Sequence, residues 1–255
     1  MSNEHFTALV LAGDRGAGDP LLGAEDKPVK ALIDVAGRPM IEHVLDTLKD
    51  STFIDEIIIC GEKEYLGHYG YECISQSRTP AMSVVTALST VESSKPVLLT
   101  TADHPLLSSH TLNDFLQVSA ESPCDATVAL APATLVENAY PQSKRTKLQF
   151  KEGRYCGCNL FTLLNDSARA LPLYWQQIEG LRKEPLRMAR ELNWLVALSY
   201  ITGQLKLQNA MDAIGKKTGT VIRPVMINDP SAAVDVDRTE DLELVRQIFK
   251  NQRLN

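Results

Sequence analysis

Strand-like and helix-like segments alternate through about the first 130 residues, and this alternation restricts the fold more than any other feature of the sequence. Short apolar runs rich in Val, Ile and Leu occur at residues 8–11, 56–60 and 96–101. Between them, residues 38–49 space their apolar side chains along one helical face. Runs that are apolar throughout are typical of strands buried on both sides. The pattern therefore predicts an α/β fold with a doubly wound, mostly parallel sheet and right-handed crossovers.

The pattern changes in the second half of the chain. Residues 147–151 and 154–161 predict two strands around a Glu-Gly turn, and a helix-rich stretch follows from about 163 to 215. The tail, residues 232–250, predicts a strand and then an amphipathic helix. No repeat or linker-like composition divides the sequence. We therefore expect residues 1–255 to form one domain with a helical insertion at about 163–215.

Composition and charge argue against several classes of function. The net charge of -6 and the pI near 5.4 are unsuited to a broad nucleic-acid surface. No apolar run approaches the ~18 residues of a membrane-spanning helix, so no membrane insertion is expected. The N-terminus lacks the basic and apolar regions of a signal peptide. The five cysteines then indicate reduced thiols and a cytoplasmic location.

The first apolar strand ends in a loop that contains Gly13, Gly16 and Gly18. Such a loop can direct backbone N–H groups at phosphates, because glycine allows close approach. It does not match the Walker A pattern G-x-x-x-x-G-K-[ST], and it is too long for a G-x-G-x-x-G dinucleotide site. Taken alone, the loop is explained equally well as a flexible connection or as a phosphate cradle.

The segment that follows the loop resembles a known family. Leu-Ala-Gly at 11–13, the glycine-rich loop, Lys-Ala-Leu at 30–32, a short strand, Gly-Arg-Pro-Met at 37–40 and an amphipathic helix occur in the order found in MobA-like nucleotidyltransferases. The resemblance implies a Rossmann-like sheet of the nucleotide-diphospho-sugar transferase (GT-A) type. It also implies transfer of an NMP group from an NTP to a small phosphorylated acceptor.

The resemblance also implies roles for the loop and for Lys30, which would contact the reacting phosphates. The usual loop form is L-A-[AG]-G-x-G-x-R, whereas this chain has Asp14 in place of a glycine and Gly18 in place of the arginine. We expect Arg15 to supply the missing positive charge as a second catalytic residue. The residues assigned to the nucleotide in this loop are Leu11, Ala12, Gly13, Asp14, Gly16 and Gly18.

Two carboxylates match the family's Mg²⁺ ligands. Asp103 follows the strand at 96–101 in a D-x-P turn, at the edge where α/β sheets bind ligands. Asp237 lies in D-V-D-R-T-E-D-L, which resembles the closing signature of the family, and Asp235 is a second candidate in the same segment. A helix start explains this second segment almost equally well. Mg²⁺ prefers hard oxygen ligands from one or two carboxylates.

Two further segments resemble the parts of the family that contact the acceptor and the nucleotide base. Residues 146–161 resemble T-x-[KR]-x-x-x-x-G-x-x-x-G-G-N-x-F, with a cysteine in place of one glycine. The resemblance places Lys147, Gly157 and Asn159 at the acceptor, although a solvent-facing strand lysine explains Lys147 nearly as well. Residues 78–88 resemble the segment that contacts base and ribose, which makes Thr79 and Ser83 candidates. This segment leaves the choice of base open.

Two other functions compete with nucleotidyl transfer. A regulatory module that binds a nucleotide without turnover would be consistent with the departures from the usual loop. An NAD-dependent dehydrogenase is disfavoured by the loop and by the second strand, which ends at Cys60 and Gly61 without an acidic residue, although Glu62 follows.

Overall fold

The computed structural model describes residues 5–13, 19–181, 184, 187, 190–191 and 193–252. Its strands are β1 (Phe6–Leu11), β2 (Asp34–Val35), β3 (Arg38–Pro39), β4 (Ile54–Cys60), β5 (Glu72–Ile74), β6 (Val97–Thr101), β7 (Ala126–Pro132), β8 (Leu148–Phe150), β9 (Gly153–Leu163) and β10 (Ile222–Met226). Its helices are α1 (Pro20–Glu25), α2 (Met40–Lys49), α3 (Lys63–Leu66), α4 (Pro80–Leu88), α5 (Ser109–Glu121), α6 (Ala133–Ala139), α7 (Ala170–Ile178), α8 (Trp194–Ile201), α9 (Leu207–Thr218) and α10 (Thr239–Gln252).

The central sheet confirms the predicted α/β architecture. Within the described ranges its strand order is β10-β7-β9-β6-β1-β4-β5, and β8 pairs with β9. Strand β1 is parallel to β4 and β6, and β7 is parallel to β10, whereas β9 is antiparallel to its neighbours. Leu11 at the end of β1 pairs with Cys60 and with Thr101. The carboxyl ends of these three strands therefore share one edge of the sheet.

Helices cover both faces of the sheet, as a doubly wound fold requires. The apolar faces of α2 and α5 pack on one side, where Leu45 and Phe115 are buried in the largest apolar cluster. Helices α4 and α7 pack on the other side, where Val84 is buried and Trp175 is partly buried. Side-chain oxygens of Asp19, Thr79 and Ser108 accept backbone hydrogen bonds at the starts of α1, α4 and α5.

The C-terminal part differs from the prediction in the position of one strand. The predicted strand at the start of residues 232–250 is wrong: Pro230–Ala233 is a 3-10 helix, and Val234 and Val236 fill a small core beside α10 instead of extending the sheet. The strand lies earlier, at β10, which pairs only through β7 among the described strands. An edge position tolerates the proline within β10, because no ladder hydrogen bond is then lost.

The helix-rich stretch predicted at about 163–215 is confirmed in type and corrected in extent. Strand β9 continues through Leu163, and α9 extends to Thr218. No helix in the described part of the chain combines the length and the apolar composition needed to cross a bilayer.

Gly215 is expected to be required for the turn from α9 into β10. A Cβ at Gly215 would lie 2.3 Å from the carbonyl oxygen of Thr220, which is a backbone atom and cannot move independently. We expect Gly215→Ala to lower the free energy of unfolding by roughly 1–3 kcal/mol, measured by urea denaturation. Gly23→Ala in α1 is the control, because no atom lies within 4 Å of its added methyl group. Equal midpoints for the two variants would contradict this account.

Candidate active site

Lys30 lies between two carboxylates at the carboxyl edge of the sheet. Its Nζ donates to Asp103 Oδ2 at 2.6 Å and to Asp237 Oδ1 at 2.8 Å, and its side chain is 11% exposed. The structure therefore brings together three of the residues predicted for the site, from segments 73 and 207 positions apart in sequence.

Local structure explains how these three residues meet. Lys30 begins the 3-10 helix Lys30–Leu32. The residues on either side of Lys30, Val29 and Ala31, are buried. Asp103 follows β6, and Thr101 Oγ1 donates to its Oδ1 at 2.6 Å. The backbone N–H of Val236 donates to the carbonyl oxygen of Asp103 at 2.9 Å. This contact holds the segment before α10 against the end of β6, next to Asp237.

Asn159 joins the same edge from β9. Its Nδ2 donates to Asp235 Oδ2 at 3.0 Å and lies 3.1 Å from His104 Nε2. Asn159 has a φ of 50°, and it lies where the register between β7 and β9 shifts. A left-handed residue within a strand re-aims its side chain, which is one function of such irregularities near sites. The predicted acceptor residue Asn159 and the second metal candidate Asp235 are thus in direct contact.

Arg145 is a buried cation of the site that the sequence analysis missed. Its side chain is 8% exposed. It contacts Asp235 Oδ1, donates to the carbonyl oxygen of Asp235 at 2.8 Å, and lies 2.6 Å from Asp241 Oδ1. Its sequence context, S-K-R-T-K, is typical of a solvated basic run and carries no signal that separates Arg145 from Lys144.

His104 is a second residue that the sequence analysis did not assign. Burial lowers the pKa of its imidazole to about 4, so the ring is neutral at pH 7. A neutral ring can accept the hydrogen bond from Asn159 at Nε2, which leaves the proton on Nδ1. His104 therefore fixes the orientation of the Asn159 amide without adding charge.

The charged groups shift one another's pKa values. Burial opposes the charged form of Lys30, but attraction to Asp103 and Asp237 outweighs it and raises the pKa of Lys30. Burial likewise opposes ionisation of Asp103, but attraction to Lys30 outweighs it and holds the pKa of Asp103 below its usual value. At neutral pH the ammonium and the carboxylate are both charged.

The site carries more negative than positive charge. Four carboxylates (Asp103, Asp235, Asp237 and Asp241) share three cations (Lys30, Arg145 and Arg238), which leaves one negative charge in the cluster. In the described part of the chain, no group of three or more His, Cys, Asp or Glu side chains is arranged as a complete metal cage. Two carboxylates that converge on one cation nevertheless fit Mg²⁺, which takes its remaining ligands from water and phosphate.

The predicted nucleotide loop is described only at its start. Asp14, Arg15, Gly16 and Gly18 lie outside the described residues. Leu11 and Ala12 are held at the sheet edge, since the Ala12 N–H donates to Cys60 and the Leu11 carbonyl accepts from Ala102. Gly13 follows them, and a Cβ there would lie 2.4 Å from Gln76 Oε1.

The hydroxyl groups of Thr79 and Ser83 form hydrogen bonds with nearby backbone groups at the start of α4. Thr79 Oγ1 accepts from the backbone N–H of Met82 at 3.3 Å. Ser83 Oγ accepts from the Ser77 N–H at 2.8 Å and donates to the Thr79 carbonyl at 3.2 Å. These bonds account for both hydroxyls locally, and the predicted contact with base and ribose stays a prediction.

Lys147 and Gly157 lie on the hairpin of β8 and β9. Lys147 forms an ion pair with Glu137, which also lies 3.1 Å from Arg154. Lys147 therefore belongs to a surface ion-pair group on α6 and the hairpin, and no ion pair in the described part of the chain links it to Lys30. Gly157 pairs with Leu130, and no atom lies within 4 Å of the position of a Cβ.

Comparison with known proteins agrees with this fold. The profile of the MobA-like NTP transferase domain matches residues 8–211. The bifunctional protein GlmU of Exiguobacterium sibiricum is 33% identical over 136 residues, which are 51% of this chain and 29% of that protein. GlmU of Staphylococcus saprophyticus is 31% identical over 133 residues, which are 49% of this chain and 28% of that protein. The chain thus matches less than a third of the length of these relatives.

Solved structures are similar over nearly the whole chain. A hypothetical transferase from Thermus thermophilus has a TM-score of 0.79 and 31% identity, and the match covers 93% of this chain and 99% of that one. CMP:2-keto-3-deoxy-manno-octonic acid synthetase in complex with CTP has a TM-score of 0.59 at 15% identity, covering 98% and 99%. 4-Diphosphocytidyl-2C-methyl-D-erythritol synthase from Anaerococcus prevotii has a TM-score of 0.57 at 12% identity, covering 97% and 99%. The last two similarities concern the fold alone.

Proposed function

This chain belongs to the MobA-like NTP transferase domain family, and from that membership we propose that it transfers an NMP group from an NTP to a small phosphorylated acceptor. The observation that carries the proposal is the convergence of Asp103 and Asp237 on Lys30, at the edge where the glycine-rich loop leaves β1. In this reaction a phosphate oxygen of the acceptor attacks the α-phosphorus of the NTP. The bond from the α-phosphorus to the bridging oxygen breaks, and pyrophosphate leaves.

The protein contributes positioning and charge to this reaction. A phosphate monoester has a second pKa near 6, so its oxygen is a nucleophile at pH 7 without a general base. Lys30 is proposed to stabilise negative charge on the α-phosphate in the transition state, and Arg15 with the loop N–H groups to hold the β- and γ-phosphates. Asn159 is proposed to orient the acceptor, because His104 and Asp235 fix its amide.

Asp103 and Asp237 are the residues that would hold Mg²⁺. When bound, the ion neutralises phosphate charge and so favours the approach of an anionic nucleophile. The excess negative charge of the cluster supports this assignment, since a triphosphate would otherwise meet carboxylates. Asp235 is proposed to act as a support for Asn159 and not as a ligand, because Arg145 and Asn159 already occupy its oxygens.

Release of pyrophosphate tests the proposed function directly. Each of the four common NTPs is incubated with Mg²⁺ and a panel of phosphate monoesters, and pyrophosphate is measured with a coupled assay. Acceptor-dependent release from one NTP is the expected result. An NTP that raises the Tm with Mg²⁺ but yields no pyrophosphate with any acceptor would favour the regulatory nucleotide-binding module.

The two carboxylates are expected to determine the Mg²⁺ dependence of nucleotide binding. We expect Asp103→Asn and Asp237→Asn each to raise the apparent Kd for the Mg²⁺ complex of the NTP about tenfold, since each removes one anionic oxygen ligand. The shift in Tm with increasing nucleotide, with and without Mg²⁺, measures this change. Asp114→Asn, on the exposed side of α5, is the control. An unchanged Mg²⁺ dependence in both site variants would refute the metal assignment.

A further inference from the structure

A large aromatic side chain is exposed in the interior of the sheet. Phe161 lies on β9, which has β6 on one side and β7 on the other, yet 41% of the residue is exposed. Large apolar residues on interior strands are normally covered by the helical layer of an α/β fold. The position of Phe161 therefore marks a gap in that layer.

The alternation along β9 shows which face of the sheet carries the gap. Cys156, Cys158 and Leu160 are buried in the cluster under α2 and α5. Phe161 therefore points to the opposite face, together with Gly157, whereas the left-handed backbone of Asn159 interrupts the alternation between them. Among the described residues, no atom lies within 4 Å of a Cβ built on Gly157, so the strip of β9 from Gly157 to Phe161 is open along this part of the strand.

The strip runs between two separate apolar clusters. Leu99, which pairs with Phe161 on β6, belongs to the cluster under α4 and α7. Val128, which pairs with Phe161 on β7, packs against the cluster that contacts α8 and α9. Phe161 thus forms the floor of a groove with a helical cluster on each side, and we call this feature the Phe161 groove.

The Phe161 groove leads to the candidate active site. Because β9 is antiparallel to β6, the step from Phe161 to Asn159 runs toward the carboxyl end of β6, where Asp103 lies. Two strand residues span about 6–7 Å, which is the width of one six-membered ring with its substituents. A phosphate held near Asn159 and Lys30 would therefore place the next ring of its ester over Phe161.

We propose that Phe161 is a specificity-determining residue, which selects phosphate monoesters whose ring presents a flat apolar face over open-chain phosphate monoesters. This inference rests on the proposed function, since the groove is assigned to the acceptor of that reaction. Aromatic side chains stack on flat rings, and the open space above Gly157 admits such a ring without a clash. Pyranose rings and heteroaromatic rings share this chemistry.

The test compares ring and open-chain acceptors in wild type, Phe161→Ala and Phe161→Leu. The probes are hexose 1-phosphates and benzyl phosphate against glycerol 3-phosphate and ribitol 5-phosphate. We expect Phe161→Ala to raise the KM for the ring probes roughly three- to tenfold, with unchanged KM values for the NTP and for the open-chain probes. Phe161→Leu separates the two ring types, because it retains apolar contact with a pyranose but loses stacking on an aromatic ring.

Val118→Ala is the matched control, since Val118 is 47% exposed on α5, beyond the opposite face of the sheet. Equal effects of Phe161→Ala on ring and open-chain probes, or a wild-type preference for open-chain probes, would overturn the inference while the transferase assignment stands. Calorimetric titration of benzyl phosphate into the complex with Mg²⁺ and an α,β-methylene NTP, which cannot release pyrophosphate, reports on the groove without turnover. Loss of that binding in Phe161→Ala supports the inference even if no pyrophosphate forms, and equal binding overturns it.

Discussion

Lys30→Ala is expected to lower kcat by about 10²- to 10³-fold while the KM for NTP changes little. The reason is that Lys30, whose side chain is 11% exposed, lies where charge would build up on the α-phosphate, and a donor of this kind acts mainly in the transition state. Steady-state rates of pyrophosphate release at saturating acceptor measure the effect. A change confined to KM would instead assign Lys30 to ground-state binding.

Lys95→Ala is a close control for this experiment. Lys95 also bridges two carboxylates, at 3.3 Å from Asp55 and 3.1 Å from Glu56, but it does so near the start of β4, away from the carboxyl edge. The comparison therefore separates the general effect of removing a lysine that bridges two carboxylates from the specific effect of removing Lys30. We expect Lys95→Ala to retain the wild-type kcat, and a fall equal to that of Lys30→Ala would contradict a specific role for Lys30.

Arg145→Ala is expected to lower the free energy of unfolding by about 3 kcal/mol. Asp241, whose side chain is only 2% exposed, would lose the closer of its two arginine partners and keep only Arg238, whose Nε lies 3.4 Å from Oδ2. The loss falls at the lower end of the usual range because Asp241 keeps the Arg238 guanidinium and hydrogen bonds from the backbone N–H groups of Asp237 and Arg238. Urea denaturation measures the change, which should appear in the midpoint and not in the m-value.

Two further variants isolate the cause of this loss. Arg154→Ala removes an exposed arginine from the neighbouring hairpin, where it pairs with Glu137, and should change the stability by less than about 0.5 kcal/mol. Asp241→Asn in the Arg145→Ala background should recover part of the loss, because a neutral amide is less costly to bury than a carboxylate. If Arg145→Ala is as mild as Arg154→Ala, the buried pair does not hold this part of the site together.

The sequence assigned Lys30, Asp103 and Asp237 to one site through the resemblance to the family, whose phosphate-contacting lysine and Mg²⁺ ligands these positions match. Asp103 follows an apolar strand, and parallel strands bring their carboxyl ends to one edge. Asp237 precedes an amphipathic helix whose buried Leu242 and Val245 were visible as a periodic pattern. Lys30 follows the loop after β1. These local signals fix the place of each residue within its own segment, whereas their common site was an implication of the resemblance.

The sequence analysis missed other features because the local sequence pattern either carried no signal for them or favoured a different structure. Strand β10 contains Arg223 and Pro224, which weaken a strand pattern, and its pairing with β7 allows both because it lies at the edge. Asn159 was assigned to the acceptor from the resemblance, but its left-handed backbone and its contacts with His104 and Asp235 depend on neighbouring strands. A strand pattern alone carries no information about such a shift in register.

The sequence by itself determined the sheet and its carboxyl edge, since periodicity and strand ends are properties of short segments, and it assigned the carboxylates at that edge through the resemblance to the family. Only the tertiary structure decided which cations are buried and which apolar residues stay exposed. Arg145 is enclosed through contact with Asp235, 90 positions away, whereas Lys147 remains at the surface beside Glu137. Phe161 is exposed because helices that follow it in sequence leave a groove above β9. Burial depends on contacts between distant segments. For this reason, two basic residues that are close in sequence, such as Arg145 and Lys147, can differ in burial.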